Sequence, residues 1–246
     1  MRLLVLDGSP RAPRSNTGLL LDALTAGFEG AGGVVLGRHA LVTRAGAAEA
    51  VRGFGAAEAV LVAFPLYVDA MPAPVMALVE ALTPRVGAPS NPALLFLVQS
   101  GFPEALHSRP VERWLLKLAR RLGSPYLGTI VRPGTEGIRA RPAGSRARLL
   151  APVTALGRGL AREGRLDPAI LARLASPERI GTGPLAWLQL AVAGAVTRWS
   201  WNRQLRANGA LAMRDAAPYA DGAPEAPTPA AGGPGRASMM GVTRRA

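Results

Sequence analysis

Five short apolar runs separated by helical patterns constrain the fold of this chain more than any other feature. The runs cover residues 3–6, 34–36, 60–64, 93–98 and 126–131, and the second and weakest extends at most to Leu41. Helical patterns lie between them, at residues 17–28, 47–55, 72–82 and 110–122. Strands that alternate with helices are typical of βαβ units, whose parallel strands are buried on both faces and read as continuous apolar runs.

The order of these elements predicts a doubly wound α/β domain over residues 1–140, with a five-stranded parallel sheet in the order 2-1-3-4-5. We expect a helical C-terminal extension over residues 141–217, packed on this domain, with a helix at 149–162 that carries Pro152 in its first turn. Asp167 before Pro168 predicts the N-cap of a further helix. Ala, Gly and Pro dominate from residue 218 to 235, and we expect residues 218–246 to be a disordered tail.

Composition and charge narrow the classes of function. The chain has no cysteine, which excludes disulfides, thiolate zinc sites, iron–sulfur clusters and cysteine nucleophiles. The formal net charge is +13, but Lys117 is the only lysine and the arginines are dispersed, so we expect no nucleic-acid partner. The most apolar later stretch, residues 185–196, is 12 residues long and contains Gln189, whereas a membrane-spanning helix needs about 20. With no signal-peptide pattern at the N-terminus, we expect a cytoplasmic protein without a membrane span.

The loop between the first strand and the first helix, GSPRAPRSNT at residues 8–17, gathers hydroxyl, amide and arginine side chains at a helix N-terminus. Backbone N–H groups at a helix N-terminus lack partners, so such a loop is suited to bind an anion. The loop contains neither the GxxxxGK[ST] pattern of a P-loop nor the GxGxxG pattern of a dinucleotide site. The alternative is an ordinary polar turn in which Ser15 or Asn16 caps the helix.

Two further loops contain residues that suit the walls of a ring-binding site. PLYVDAMPAP at residues 65–74 places a tyrosine on a proline-braced loop, and QSGFPE at residues 99–104 pairs a permissive glycine with Phe102. Taken alone, the first of these loops is also compatible with a proline-rich connector whose Tyr67 simply packs, and the second with a tight turn that satisfies local backbone groups. In a 2-1-3-4-5 sheet, however, the strand order reverses between strands one and three, and all three loops meet at that crevice. One anion site and two apolar walls suit a ligand with a terminal phosphate and a flat ring.

In this order and spacing, the three loops resemble the flavin-contacting loops of the NAD(P)H-dependent FMN reductases, a branch of the flavodoxin-like superfamily. The similarity covers residues 1–135, and a weaker likeness extends to residues 201–205. The resemblance implies a flavodoxin-like fold, bound FMN, NADPH or NADH as reductant and a small-molecule electron acceptor, and it leaves a homodimer open. The contacts that it implies are Ser9, Arg11, Ser15, Asn16 and Thr17 for the phosphate, Pro65, Leu66, Tyr67 and Val68 for the isoalloxazine, and Ser100, Gly101 and Phe102 for its far side.

The function that the resemblance implies is an oxidoreductase in which the flavin carries the hydride chemistry. Its acceptor would be a quinone, an azo or nitro compound, a free flavin or a ferric chelate. No side chain is required for proton transfer, so no catalytic residue is assigned, and backbone N–H groups of residues 66–68 and Gly101 are expected to stabilise the reduced ring. A flavodoxin-type electron carrier and a non-catalytic binding module of the same fold remain alternatives. Such carriers are usually acidic, so the charge of +13 favours the reductase.

Overall fold

The computed structural model, which describes residues 1–11, 14–181 and 183–217, places five parallel strands in one sheet. Their order is β2-β1-β3-β4-β5, and every neighbouring pair is parallel. The strands are β1 Arg2–Asp7, β2 Val34–Ala40, β3 Ala59–Pro65, β4 Ala93–Gln99 and β5 Tyr126–Arg132. The predicted doubly wound α/β fold and its strand order are confirmed.

The burial of the strands explains how clearly each one appears in the sequence. All residues of β3 are buried, as are all but the first residue of β1 and of β4. The edge strand β2 has no buried residue, and its side chains mostly alternate between exposed and half-buried. A strand that is wet on one face does not form a continuous apolar run, which is why the second strand gave the weakest signal.

Helices cover both faces of the sheet. The helices are α1 Asn16–Glu29, α2 Arg44–Gly53, α3 Ala73–Ala81, α4 Arg109–Leu122, α5 Ala143–Glu163, α6 Pro168–Leu174 and α7 Pro184–Ala207. On one face, Leu24 of α1 and Leu156 of α5 belong to a single core cluster with β1, β3 and β4. On the other face, a second core cluster joins the sheet to α2, α3 and α4, and it includes Ala50, Val75 and Leu115 of these helices.

Two glycines let α1 and α5 pack backbone against backbone. A Cβ atom on Gly27 of α1 would overlap the carbonyl oxygen of Thr154 in α5. A Cβ atom on Gly157 of α5 would likewise overlap the carbonyl oxygen of Leu24 in α1. Any larger residue at either position would force the two helices apart.

The structure corrects one prediction about α5. This helix begins at Ala143 rather than at residue 149, so Pro152 lies in its interior and not in its first turn. A proline has no N–H, so the carbonyl of Arg148 receives no hydrogen bond from position 152. The buried side chains of Val153, Leu156 and Leu160 hold the helix against the sheet beyond that gap.

The end of the described chain is helical. As predicted, Asp167 caps α6, and its carboxylate accepts hydrogen bonds from the backbone N–H groups of Ala169 (2.8 Å) and Ile170 (3.3 Å). Residues 1–181 belong to one compact unit, which includes α5 and α6, and the described residues 183–217 belong to a second unit, which includes α7. The predicted tail, residues 218–246, lies outside the described residues. None of the helices in the described ranges is both long and apolar enough to cross a membrane.

Candidate functional site

The loops that follow β1, β3 and β4 meet at one edge of the sheet and enclose a cavity of about 80 Å³. Nine of the twelve residues that the sequence singled out line this cavity, together with Gln99 and Glu136. The nine are Ser9, Arg11, Ser15, Asn16, Pro65, Leu66, Tyr67, Ser100 and Gly101. We call this space the crevice cavity.

The other three residues lie outside the wall of the crevice cavity. Thr17 is fully buried, and its hydroxyl accepts a hydrogen bond from Nε2 of Gln99 at 3.2 Å. Val68 is 97% exposed at the tip of the second loop. Phe102 is about half exposed, and its ring stacks on His107 with the ring centroids 4.2 Å apart. Thr17 therefore braces the first loop from behind, whereas Val68 and Phe102 flank the opening.

A buried carboxylate at the end of β1 shapes the first loop. Asp7 accepts a hydrogen bond from the backbone N–H of Ser9 at 3.0 Å, and its other oxygen lies 3.3 Å from the guanidinium of Arg38. Burial raises the pKa of Asp7, and the Ser9 and Arg38 hydrogen bonds lower it in part. A glycine is required at position 8, between Asp7 and Ser9, because a Cβ atom on Gly8 would overlap the side chain of Val75.

The N-terminus of α1 presents backbone donors beside the crevice cavity. Ser15 is the N-cap, and its hydroxyl accepts the N–H of Gly18 at 2.9 Å. The backbone N–H groups of Asn16 and Thr17, the two residues between Ser15 and Gly18, donate to no acceptor among the described residues. Together with Arg11 of the same loop, these donors are of the chemical type that binds anions at helix N-termini.

The second loop is a tight turn in an uncommon backbone conformation. Tyr67 and Ala70 exchange backbone hydrogen bonds of 3.0 Å in both directions. Between them, Val68 and Asp69 have φ angles of 49° and 57°. Positive φ is unfavourable for a β-branched residue and costs on the order of 1–3 kcal/mol. Such strained turns cluster at binding sites, and this one forms part of the wall of the crevice cavity.

The same turn corrects an expectation about the backbone donors of residues 66–68. The N–H of Leu66 donates to the carbonyl of Gln99 at 2.8 Å, and that of Tyr67 donates to Ala70 at 3.0 Å. Both groups are therefore engaged within the protein and are not directed at a ligand. The N–H of Val68 has no acceptor in the described ranges, so it is the backbone donor of this turn that remains available to a ligand.

The segment that follows β5 closes the site, although the sequence analysis predicts no site residue in this segment. The Asn16 side chain donates to the carbonyl of Thr135 at 2.9 Å. The Thr135 hydroxyl lies within hydrogen-bond distance of the Gln99 side chain and 2.9 Å from the carbonyl of Ser100. Because Gln99 also contacts Thr17, its buried amide connects the first loop, β4 and the segment after β5. The position of Gln99 at the end of β4 was the available signal, whereas nothing in the sequence pattern marks Thr135 or Glu136.

A second and larger cavity, of about 500 Å³, borders the strained turn on its other side. We call it the apolar cavity, because Met71, Met76, Val79, Val111 and Trp114 supply most of its wall. Asp69, Ala70, Glu80 and Pro110 complete the lining. The turn from Tyr67 to Ala70 thus contributes to both cavities.

A histidine connects the second and third loops at the mouth of the site. His107 Nδ1 lies 3.5 Å from Asp69 Oδ1, and its Nε2 lies 3.6 Å from Glu104 Oε2. The other carboxylate oxygen of Glu104 accepts the backbone N–H of Ile180 at 2.6 Å. Together with the stacked ring of Phe102, these contacts hold the loops after β3 and β4 in a fixed relative position.

Comparisons with solved structures identify proteins of the same fold. An NADPH-quinone reductase from P. pentosaceus superposes with a TM-score of 0.51 and 16% identity, over 66% of this chain and 99% of its own. An NAD(P)H:quinone oxidoreductase from Methanothermobacter marburgensis gives a TM-score of 0.52 and 16% identity, over 66% and 98% of the two chains. An FMN-dependent NADH-azoreductase from Bacillus anthracis, solved in complex with FMN, gives 0.50 and 13%, over 66% and 100%.

These likenesses define the class of fold. The chain has the flavodoxin-like fold, as the three loops implied, and the solved structures that share it include nicotinamide-dependent quinone reductases and azoreductases. At 13–16% identity they show the fold and not the activity of this chain. No family profile and no curated protein matches the sequence.

Proposed function

We propose that this protein is an FMN-dependent NAD(P)H oxidoreductase that passes two electrons from a nicotinamide nucleotide to a small acceptor. The observation that carries the proposal is that the first loop, with its helix N-terminus and Arg11, and the two loops after β3 and β4 converge on one cavity at the strand-order reversal. The fold is that of a neighbouring azoreductase that was solved with FMN. FMN combines one terminal phosphate, which suits the crevice cavity, with a flat ring, which suits the loops at its opening.

The residues present fit FMN by the chemistry of their donors. Arg11, the hydroxyls of Ser9 and Ser15 and the α1 N–H groups that have no acceptor among the described residues suit a phosphate. The single carboxylate of the wall, Glu136, lies beside the third loop, 3.6 Å from where a Cβ atom of Gly101 would be. A volume of 80 Å³ suits a phosphate-sized group, whereas pockets for whole small molecules usually measure about 300–1,000 Å³. We therefore infer that the ring would lie at the opening, against the partly exposed Tyr67.

When bound, FMN would supply hydride and electron transfer, and the protein would supply orientation and electrostatics. In our proposal the first loop anchors the phosphate, and Tyr67 and the strained turn support the ring. The N–H of Val68 is the free donor available to a polar ring edge. The net charge of +13 favours the approach of a polyphosphate such as NADPH or NADH.

The apolar cavity favours uncharged aromatic acceptors. Its wall of methionine, valine and tryptophan side chains suits a flat apolar molecule, because thioethers and indoles pack well on aromatic rings. Asp69 and Glu80 at its border disfavour an anionic ferric chelate. Among the acceptors that the resemblance implied, we therefore place quinones and neutral nitro or azo compounds ahead of ferric chelates and free FMN.

Calorimetric titration with FMN and riboflavin, followed by anaerobic addition of NADPH or NADH, tests the proposal. We expect FMN to bind more tightly than riboflavin, and a nicotinamide nucleotide to abolish the visible absorbance of the bound flavin. Arg11→Ala should weaken FMN binding about 10–100-fold, since a charged hydrogen bond contributes about 1.5–3 kcal/mol, and should leave riboflavin binding unchanged. Arg120→Ala, which removes another exposed arginine with no ion pair among the described residues, is the matched control.

The outcomes separate the alternatives. Equal affinities for FMN and riboflavin would show that the first loop does not recognise phosphate. If FMN binds and only dithionite reduces it, the protein is an electron carrier or a binding module of the same fold. If neither flavin binds, the proposed cofactor is wrong.

A further inference from the structure

A third cavity, of about 500 Å³, opens beside the carboxyl end of β5 and is lined by arginines. Arg132 comes from the end of β5, Arg148 from α5 and Arg173 from α6, all within the compact unit of residues 1–181. The rest of the wall is apolar and consists of Leu149, Ala151, Pro152, Ala155 and Leu174. These lining residues include no carboxylate and none of the residues of the crevice cavity. We call this space the arginine cavity.

Arg132 carries a partly buried charge that has no counter-ion within the described part of the chain. One terminal nitrogen donates to the carbonyl of Leu174 at 3.3 Å, whereas Nε is buried and has no hydrogen-bond partner among the described residues. Burial lowers the pKa of Arg132, and the positive charge of Arg141 lowers it further. A buried cation with an unsatisfied donor is unfavourable unless an anion compensates for the lost hydration.

Two other arginines of this protein with partly buried side chains, Arg109 and Arg38, do have carboxylate partners. Arg109 lies 2.6 Å from both Glu112 and Glu178. Arg38 is paired with Asp7 and Asp22, at 3.3 Å and 2.5 Å. By contrast, none of the three arginines of the arginine cavity forms an ion pair with a carboxylate of the described ranges.

We propose that the arginine cavity binds a small organic anion with two or more negative charges, carried by phosphate or carboxylate groups. A planar guanidinium binds either group through two parallel hydrogen bonds, and three guanidiniums favour a dianion over a monoanion. The apolar part of the wall, which includes Leu149 and Leu174, favours an organic body over a bare inorganic ion. The volume lies within the range of small-molecule pockets, about 300–1,000 Å³. This site is independent of the proposed flavin chemistry.

Calorimetry on the full chain tests the site with phenyl phosphate, succinate, inorganic phosphate and the uncharged analogue phenol. We expect one equivalent of an organic dianion to bind, phenol not to bind, and inorganic phosphate to bind more weakly than phenyl phosphate. The comparison of phenyl phosphate with succinate shows whether phosphate or carboxylate is preferred. Arg148→Ala and Arg173→Ala should each weaken binding about 10–100-fold, as expected for a lost charged hydrogen bond.

Arg162→Ala is the matched control, because Arg162 is an exposed arginine of α5 outside the arginine cavity. If it weakens binding as much as Arg148→Ala does, the anion responds to general positive charge and the proposal is wrong. Absence of binding by every dianion would also overturn it. So would displacement of phenyl phosphate by FMN, with loss of binding in Arg11→Ala and not in Arg148→Ala. Arg132→Met should abolish binding, and the two exposed arginines test the site even if that variant fails to fold.

Discussion

The strained turn after β3 makes a quantitative prediction about stability. Val68 has a φ of 49° and is 97% exposed, so its side chain contributes almost no burial to offset the strain. Glycine adopts positive φ freely, so Val68→Gly should release about 1–3 kcal/mol of native-state strain. The added freedom of glycine in the unfolded chain removes about 0.5–1 kcal/mol of this gain. The expected result is a net change in the free energy of unfolding of about 0 to +2.5 kcal/mol.

A matched control is available in Val86, which has a φ of −58° and is 48% exposed. Val86→Gly releases no strain and should lower the free energy of unfolding by about 0.5–1 kcal/mol. Urea denaturation followed by circular dichroism gives both values, and equal slopes would show that the unfolded states are comparable. If Val68→Gly loses as much stability as Val86→Gly, the turn holds no strain and our reading of it is wrong.

Two further predictions concern the packing of α1 on α5 and the buried carboxylate at the end of β1. Gly157→Ala should lower the free energy of unfolding by about 1–3 kcal/mol or more, because the added Cβ atom would overlap the carbonyl of Leu24. Gly144→Ala is the control on the same helix: no atom lies within 4 Å of the added Cβ, so this change should be neutral or stabilising. Equal effects of the two changes in thermal melts would contradict the close contact. Because burial raises the pKa of Asp7, the stability that its carboxyl contributes is greatest below the ordinary pKa of 3.8 and is lost as the pH rises through the native pKa. The advantage of Asp7→Asn over the wild type in unfolding free energy should therefore grow as the pH rises from below 3.8 through the native pKa of Asp7. A difference in unfolding free energy that does not change with pH would refute this.

The sheet could be predicted from the sequence because buried parallel strands leave continuous apolar runs. The start of α5 could not, because its first residues, AGSRAR at 143–148, are mostly exposed and show no apolar periodicity. Pro152 then suggested a helix start, although packing of the following residues against α1 holds it inside the helix. Tertiary contact overrode the local signal at this point.

Most of the crevice cavity was also predictable, since the carboxyl ends of neighbouring parallel strands must lie close together. The inward orientation of Thr17 was not, because it depends on the side chain of Gln99 from a strand distant in sequence. Glu136 was missed because the segment after β5 carries no recognisable motif. The arginine cavity could not be predicted from the sequence either. Its three arginines, Arg132, Arg148 and Arg173, are separated in sequence and are brought together by the packing of α5 and α6.

The contact between α1 and α5 has a consequence for the folding of the nascent chain during synthesis on the ribosome. Leu20, Leu24 and Phe28 of α1 are fully buried, in one cluster with Val153 and Leu156 of α5. Synthesis proceeds from the N-terminus, so all five strands emerge before the helix that covers this face. Until α5 has left the exit tunnel, the side of α1 that packs on α5 stays exposed to water, although the sheet can already cover the rest of its apolar face. Chaperones that recognise apolar surface would therefore meet this nascent chain at α1, and their hold would end when α5 docks.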